Sequence, residues 1–96
     1  MERQIQFGRV YKHFKGNKYI PIMLAENSET GEIMVLYKAL YGEYKMYVRP
    51  YEMFVSPVDK DKYPEAKQYY RFELSDEDNL TICSLNINKG EDKWKN

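Results

Sequence analysis

Residues 37–54 read YKALYGEYKMYVRPYEMF and place five tyrosines, Tyr37, Tyr41, Tyr44, Tyr47 and Tyr51, within fifteen positions. Whether those rings are the inside of a small protein or a surface that grips a partner decides the reading of the whole chain. YGEY puts Gly42 first in a two-residue loop, where a type II′ turn requires positive φ. The flanking runs EIMVLYKALY and YKMYVR are rich in β-branched and aromatic residues and too short for helices. The stretch therefore predicts a β-hairpin. With Gly42-Glu43 as its loop, Tyr41 faces Tyr44, Ala39 faces Met46 and Tyr37 faces Val48, and such partners share a face. Val35, Tyr37, Ala39, Tyr41, Tyr44, Met46 and Val48 then form the expected core face. Lys38 pairs with Tyr47 and Leu36 with Arg49 on the expected wet face, because register decides which side meets water.

Working outward, the same signals recur. KGNK sets Gly16-Asn17 between GRVYKHF and KYIPIMLAE, and NSETGE gives a polar turn ending on Gly31. A four-residue loop at 28–31 sets Leu24 against Val35 and Ile22 against Tyr37, adding Ile20, Ile22 and Leu24 to the core. The Gly16-Asn17 turn places Tyr11 and His13 on that side too. Pro21 cannot donate to a ladder, so its strand is an edge or is bulged there. After Pro50 a single turn through Tyr51 and Glu52 is expected, with MFV resuming as a short fifth strand. The sum is mainly β: a small SH3-like antiparallel barrel over residues 1–74. Within it PEAKQYY predicts a short helix beginning at Pro64, and YRFEL a strand. Residues 75–96 form a C-terminal extension. SDED resembles a helix start, Thr81, Cys83, Leu85 and Ile87 alternate like a strand, and the last residues are expected to fray.

The segments GRVYKHFKGNKY, SETGE, VLYKALYG, VRPYEMF and KYPEAKQYYRFEL together resemble the DUF1653 family of small bacterial and phage proteins. The resemblance covers roughly residues 7–74 and implies an SH3-type barrel. It implies no activity, since the family has none assigned. Asn27 stands where the family commonly has histidine, so no imidazole role carries over there, and Tyr47 stands where tryptophan is usual.

Composition narrows the function classes. Fifteen basic and fifteen acidic residues cancel, which speaks against a generic polyanion binder. Residues 1–49 carry eight Lys/Arg and five Asp/Glu (+3), and residues 50–96 carry seven and ten (−3). One cysteine, Cys83, allows no internal disulfide or thiolate cluster, and no long apolar run is present. A soluble, cytoplasmic protein is expected, with no membrane partner. No metal-ligand spacing or phosphate-cradling glycine loop occurs, so no cofactor is expected. His13, the only histidine, lacks a visible orienting partner and nucleophile and reads as a rim residue bonded to backbone or a tyrosine hydroxyl. The chain is not expected to be an enzyme. The expected function is a binding module for a protein or peptide, through a face carrying Tyr47, Arg49, Lys38 and Lys45 with Tyr19 and Phe14 from the first hairpin. Single-stranded nucleic acid on the same face is the alternative, with Tyr47 stacking and Arg49 on phosphate. Coverage of that face by Tyr69, Phe72 and Leu74 of the chain's own later segment is a third possibility.

Overall fold

The computed structural model describes residues 3–79. It is mainly β, with strands β1 (Tyr11–His13), β2 (Lys18–Glu26), β3 (Ile33–Ala39), β4 (Met46–Pro50) and β5 (Phe72–Leu74), and one short helix, α1 (Tyr51–Phe54). All pairings are antiparallel, in the order β4-β3-β2-β1-β5. The sheet is open. β4 and β5 do not pair, so the expected barrel closure is absent among the described residues.

Curl takes the place of closure. In a flat sheet three strand spacings would hold β5 roughly 14 Å from β3. Yet the Phe72 and Tyr37 ring centroids lie 5.7 Å apart, and the Arg49 guanidinium of β4 sits 5.5 Å from the Phe72 ring. Tyr11, Val35, Tyr37, Phe54 and Phe72 fill the concave side as one buried cluster. Phe54 and Phe72 stack at 4.2 Å, so α1 plugs one end of the curl with its single buried side chain. Arg3 guards that end by donating to the carbonyls of Val55 and Phe72 and covering the Tyr70 ring.

The β2–β3 hairpin follows its expected register from Glu26↔Ile33 to Met23↔Leu36, including Leu24↔Val35. Its loop is an Asx turn in which Asn27 Oδ1 accepts from the Glu29 and Thr30 amides while Gly31 takes φ +79°. The register then slips between Pro21 and Met23, leaving Ile22 unpaired and setting Pro21 against Tyr37. This bulge lets the strand tolerate proline. It corrects the faces on its N-terminal side: Tyr19 turns inward against Ala39 and Ile20 turns outward. Ile22 and Leu24 are exposed rather than core, although Leu24 keeps its expected pairing with Val35. The first hairpin differs as well. His13 N–H donates to the Asn17 carbonyl and Gly16 N–H to the His13 carbonyl, which makes a three-residue loop with Gly16 at φ +113°. Bulge and longer loop cancel, so Tyr11 and His13 still face the core side.

The decisive hairpin contains one extra loop residue. Gly42 has the expected positive φ, +59°, and Tyr44 N–H donates to the Tyr41 carbonyl. Tyr44 itself then takes φ +57°, and the ladder resumes at Lys38↔Met46, Tyr37↔Tyr47, Leu36↔Val48 and Val35↔Arg49. A shift of one residue exchanges the faces of β4. Met46 and Val48 therefore point outward and are exposed, Tyr41 and Tyr44 are exposed too, and Tyr47 and Arg49 point inward. Val35, Tyr37 and Ala39 are buried as expected.

The later chain also departs from expectation. Met53 and Phe54 belong to α1 and not to a strand, and the fifth strand is Phe72–Leu74, paired with β1. PEAKQYY is a looped crossing instead of a helix, held by Lys60 Nζ on the Ala66 and Gln68 carbonyls and by Gln68 Nε2 on the Lys12 carbonyl. A helical turn occupies 76–79, where the Ser75 hydroxyl donates to Asp78 Oδ2. The strand-like alternation from Thr81, the Cys83 thiol and the expected fraying lie outside the described residues.

Candidate functional site

The concave side of the curl gathers groups from four strands. His13 comes from β1, Tyr19 from β2, Tyr37 from β3, and Tyr47 and Arg49 from β4. The register pairs Tyr37 with Tyr47, and their rings lie 5.8 Å apart. Tyr19 packs edge-on against Tyr37 at 5.4 Å, Phe72 at 5.6 Å and Tyr41 at 5.5 Å. Tyrosines fit this rim because each ring packs on the core while its hydroxyl stays in reach of polar groups. The Tyr19 and Tyr41 hydroxyls share a hydrogen bond of 2.9 Å, and Arg49 Nε donates to the Tyr37 hydroxyl at 3.3 Å. Tyr41 and Tyr47 remain 39% and 40% exposed, enough of each ring to contact a ligand. Burial, with the Tyr41 hydrogen bond next, pushes the Tyr19 hydroxyl above its ordinary range, so it is a neutral donor and acceptor.

His13 sits at the centre, half-buried, with its ring 4.9 Å from Phe72 and 4.5 Å from Phe14. Its Nδ1 accepts from the Lys15 amide at 3.1 Å, which leaves the neutral ring's proton on Nε2. Burial lowers its pKa from 6.5 to about 4, reinforced by the positive charges of Arg49, Arg71 and Lys15. Those three charges thus act on a neutral ring. Among the described residues no carboxylate lies within ion-pairing distance of Arg49 or Arg71; Arg71 instead donates to the Ser56 hydroxyl at 3.4 Å. The result is an aromatic cluster on the concave side whose one imidazole feels only positive charges.

The expected site residues are therefore divided. Tyr19, Tyr47 and Arg49 come together, but on the concave face and not the outer one. Lys38 projects from the opposite side of β3, paired with Met46 and exposed. Lys45 sits beside Glu43 at 3.5 Å in the loop. Phe14 packs between His13, at 4.5 Å, and Tyr63, at 4.9 Å, and lines a groove with Lys62, Tyr63 and Pro64. Phe72 does pack over the sheet, but on its concave core, and Tyr69 is exposed. Sequence reasoning missed Arg71 and Tyr41 and gave His13 no electrostatic setting. Arg71 precedes Phe72, the β5 partner of His13, and its charge acts on the imidazole while its Nε bonds the Ser56 hydroxyl just past α1.

Among the described residues no group of three or more His, Cys, Asp or Glu could hold a metal ion, and no helix is long and apolar enough to cross a membrane.

No curated protein matches the chain. The crystal structure of a DUF1653 protein from Bordetella bronchiseptica is similar at 33% identity and a TM-score of 0.57, covering 68% of this chain and 81% of that one. The profile of the family described as "Protein of unknown function (DUF1653)" matches residues 9–74, the span from just before β1 to the end of β5, and the chain belongs to that family.

Proposed function

We propose that the chain is a binding module that takes a carboxylate-bearing peptide segment against the rim of the concave side of the curled sheet, at Tyr19, Tyr41, Tyr47 and Arg49. The observation that carries this reading is the Arg49 guanidinium, set against the Tyr37 hydroxyl and the Phe72 ring, which, like that of Arg71, has no carboxylate partner among the described residues, while the charges of both act on a neutral His13. Guanidiniums bind carboxylates through two parallel N–H donors, and the Tyr19, Tyr41 and Tyr47 rings give apolar walls for neighbouring side chains. Binding without catalysis fits a histidine held near pKa 4, because a general base works best when its pKa lies near the working pH. A cytoplasmic location fits a chain whose only cysteine is Cys83.

The test is titration of amide NMR spectra with a short capped peptide of alternating glutamate and leucine, alongside oligothymidylate. The peptide is expected to shift residues around His13, Tyr47 and Arg71, and Arg49→Gln to weaken it roughly tenfold, the loss of one charge-assisted pair. Shifts confined to other surfaces would refute the site. Tighter binding of the oligonucleotide, falling steeply with salt, would replace the peptide by single-stranded nucleic acid.

A further inference from the structure

The convex side of the sheet carries a second surface. Ile20 and Met23 of β2, Met34 and Leu36 of β3, and Met46 and Val48 of β4 all project there, set side by side by the pairings Met23↔Leu36↔Val48 and Ile20↔Lys38↔Met46. Met23, Met46 and Val48 are 53%, 48% and 57% exposed. A methionine-rich apolar surface three strands wide is adaptable in shape and is seldom left bare on a monomer.

The described chain ends beside this surface and already begins to cover it. Val10 alternates with Tyr11, whose ring lies in the concave cluster, and so faces the convex side; it is nonetheless only 5% exposed. Its cover is the 75–79 turn. Asn79 Oδ1 accepts from the Val10 amide at 2.9 Å, and Asn79 Nδ2 donates to the Val10 carbonyl at 3.0 Å. Asp78 meets Lys18 at 2.7 Å, and Lys18 precedes Ile20 on the convex row of β2. The chain thus leaves Asn79 at the rim of the patch. The sequence that follows, LTICSLNI (80–87), has apolar residues at Leu80, Ile82, Cys83, Leu85 and Ile87 and no charge. From Ile20 to Met46 is two strand spacings, roughly 10 Å, and eight residues span roughly 12 Å even at helical rise.

We propose that residues 80–87 of this chain are the occupant of the convex methionine face. Tethering at Asn79 favours them over a second copy, since a short link holds them at millimolar effective concentration.

The experiment uses the full chain and its native Cys83. Met23→Cys, Met46→Cys and Val48→Cys are made singly, with Glu29→Cys in the distant β2–β3 turn as control, and amide spectra confirm that each folds. Under mild oxidation at low protein concentration, at least one face variant is expected to form an intramolecular disulfide with Cys83, with loss of both free thiols and a faster-migrating monomer, while Glu29→Cys keeps both thiols. Adding Leu85→Asp should reduce that crosslink several-fold. Disulfide-linked dimers through the face cysteines would put a second copy on the face and overturn the proposal. Two free thiols in all three face variants would overturn it as well.

Discussion

Lowering the pH should destabilise this protein through His13 before its carboxylates respond. The folded pKa is about 4 against 6.5 for an exposed ring, so the unfolded chain binds the proton more tightly. The sign follows: stability is full above about pH 6.5, falls as pH drops through the window, and levels once the folded ring also protonates near pH 4. Going from about pH 7.5 to about pH 5, the full difference would be about 2 kcal/mol, at about 1.4 kcal/mol per tenfold change in proton affinity. The ring is only half-buried and its neighbours Arg49, Arg71 and Lys15 are partly solvated, which reduces this to about 1 kcal/mol. Urea unfolding followed by circular dichroism at the two pH values, on the parent and on His13→Gln, measures it. The parent should lose about 1 kcal/mol, roughly 4–8 °C in Tm for a domain of this size, and the variant much less. Parallel losses in the two proteins would refute the placement of His13 among those cations. Repeating the pair in high salt adds a check, since the cationic contribution should shrink while the desolvation contribution persists.

Two further outcomes follow from the geometry. Asn79→Ala should cost about 2–3 kcal/mol in urea unfolding, because it leaves the buried Val10 amide without its 2.9 Å partner; a cost under about 0.5 kcal/mol would mean that the 75–79 turn does not hold the sheet. Tyr44→Gly should stabilise by about 0.5–1 kcal/mol in thermal melts, since glycine accepts φ +57° without the strain an L side chain bears there and the exposed Tyr44 ring contributes little; destabilisation would contradict the left-handed turn.

What the sequence made legible follows the local chemistry of its turns. NSETGE fixes the β2–β3 register because Asn27, Thr30 and Gly31 bond within their own loop, and the pairing from Glu26 to Met23 is as derived. YGEY misled by a single residue: an aromatic side chain carries no signal for a left-handed backbone, and Tyr44 adopts one. That displaced Met46 and Val48 to water and brought Tyr47 and Arg49 inward. The inward placement of His13 survived only because the Ile22 bulge and the three-residue loop compensate. Pro21 announced the bulge, though not its exact residue. PEAKQYY has helical composition, but Lys60 and Gln68 satisfy its carbonyls and bind it to β1, a tertiary effect that overrides propensity. The candidate site was half legible for the same reason. Tyr19, Tyr47 and Arg49 could be picked by type, whereas the influence of Arg71 on His13 depends on a pairing between segments about sixty residues apart, Tyr11↔Leu74 to His13↔Phe72, that no local pattern encodes.

That pairing also sets an order of assembly. β2, β3 and β4 join through short loops and can pair as soon as they leave the ribosome. β1 has β2 on one side, but its other edge and the floor of the core wait for β5, so Phe72 must be synthesised before the Tyr11, Tyr37 and Phe54 rings can be sealed from water. A nascent chain halted short of Phe72 would carry a bare strand edge and a bare aromatic cluster together, the combination that recruits chaperones and proteases. Completion of the fold therefore reports that the chain has been read through to its fifth strand.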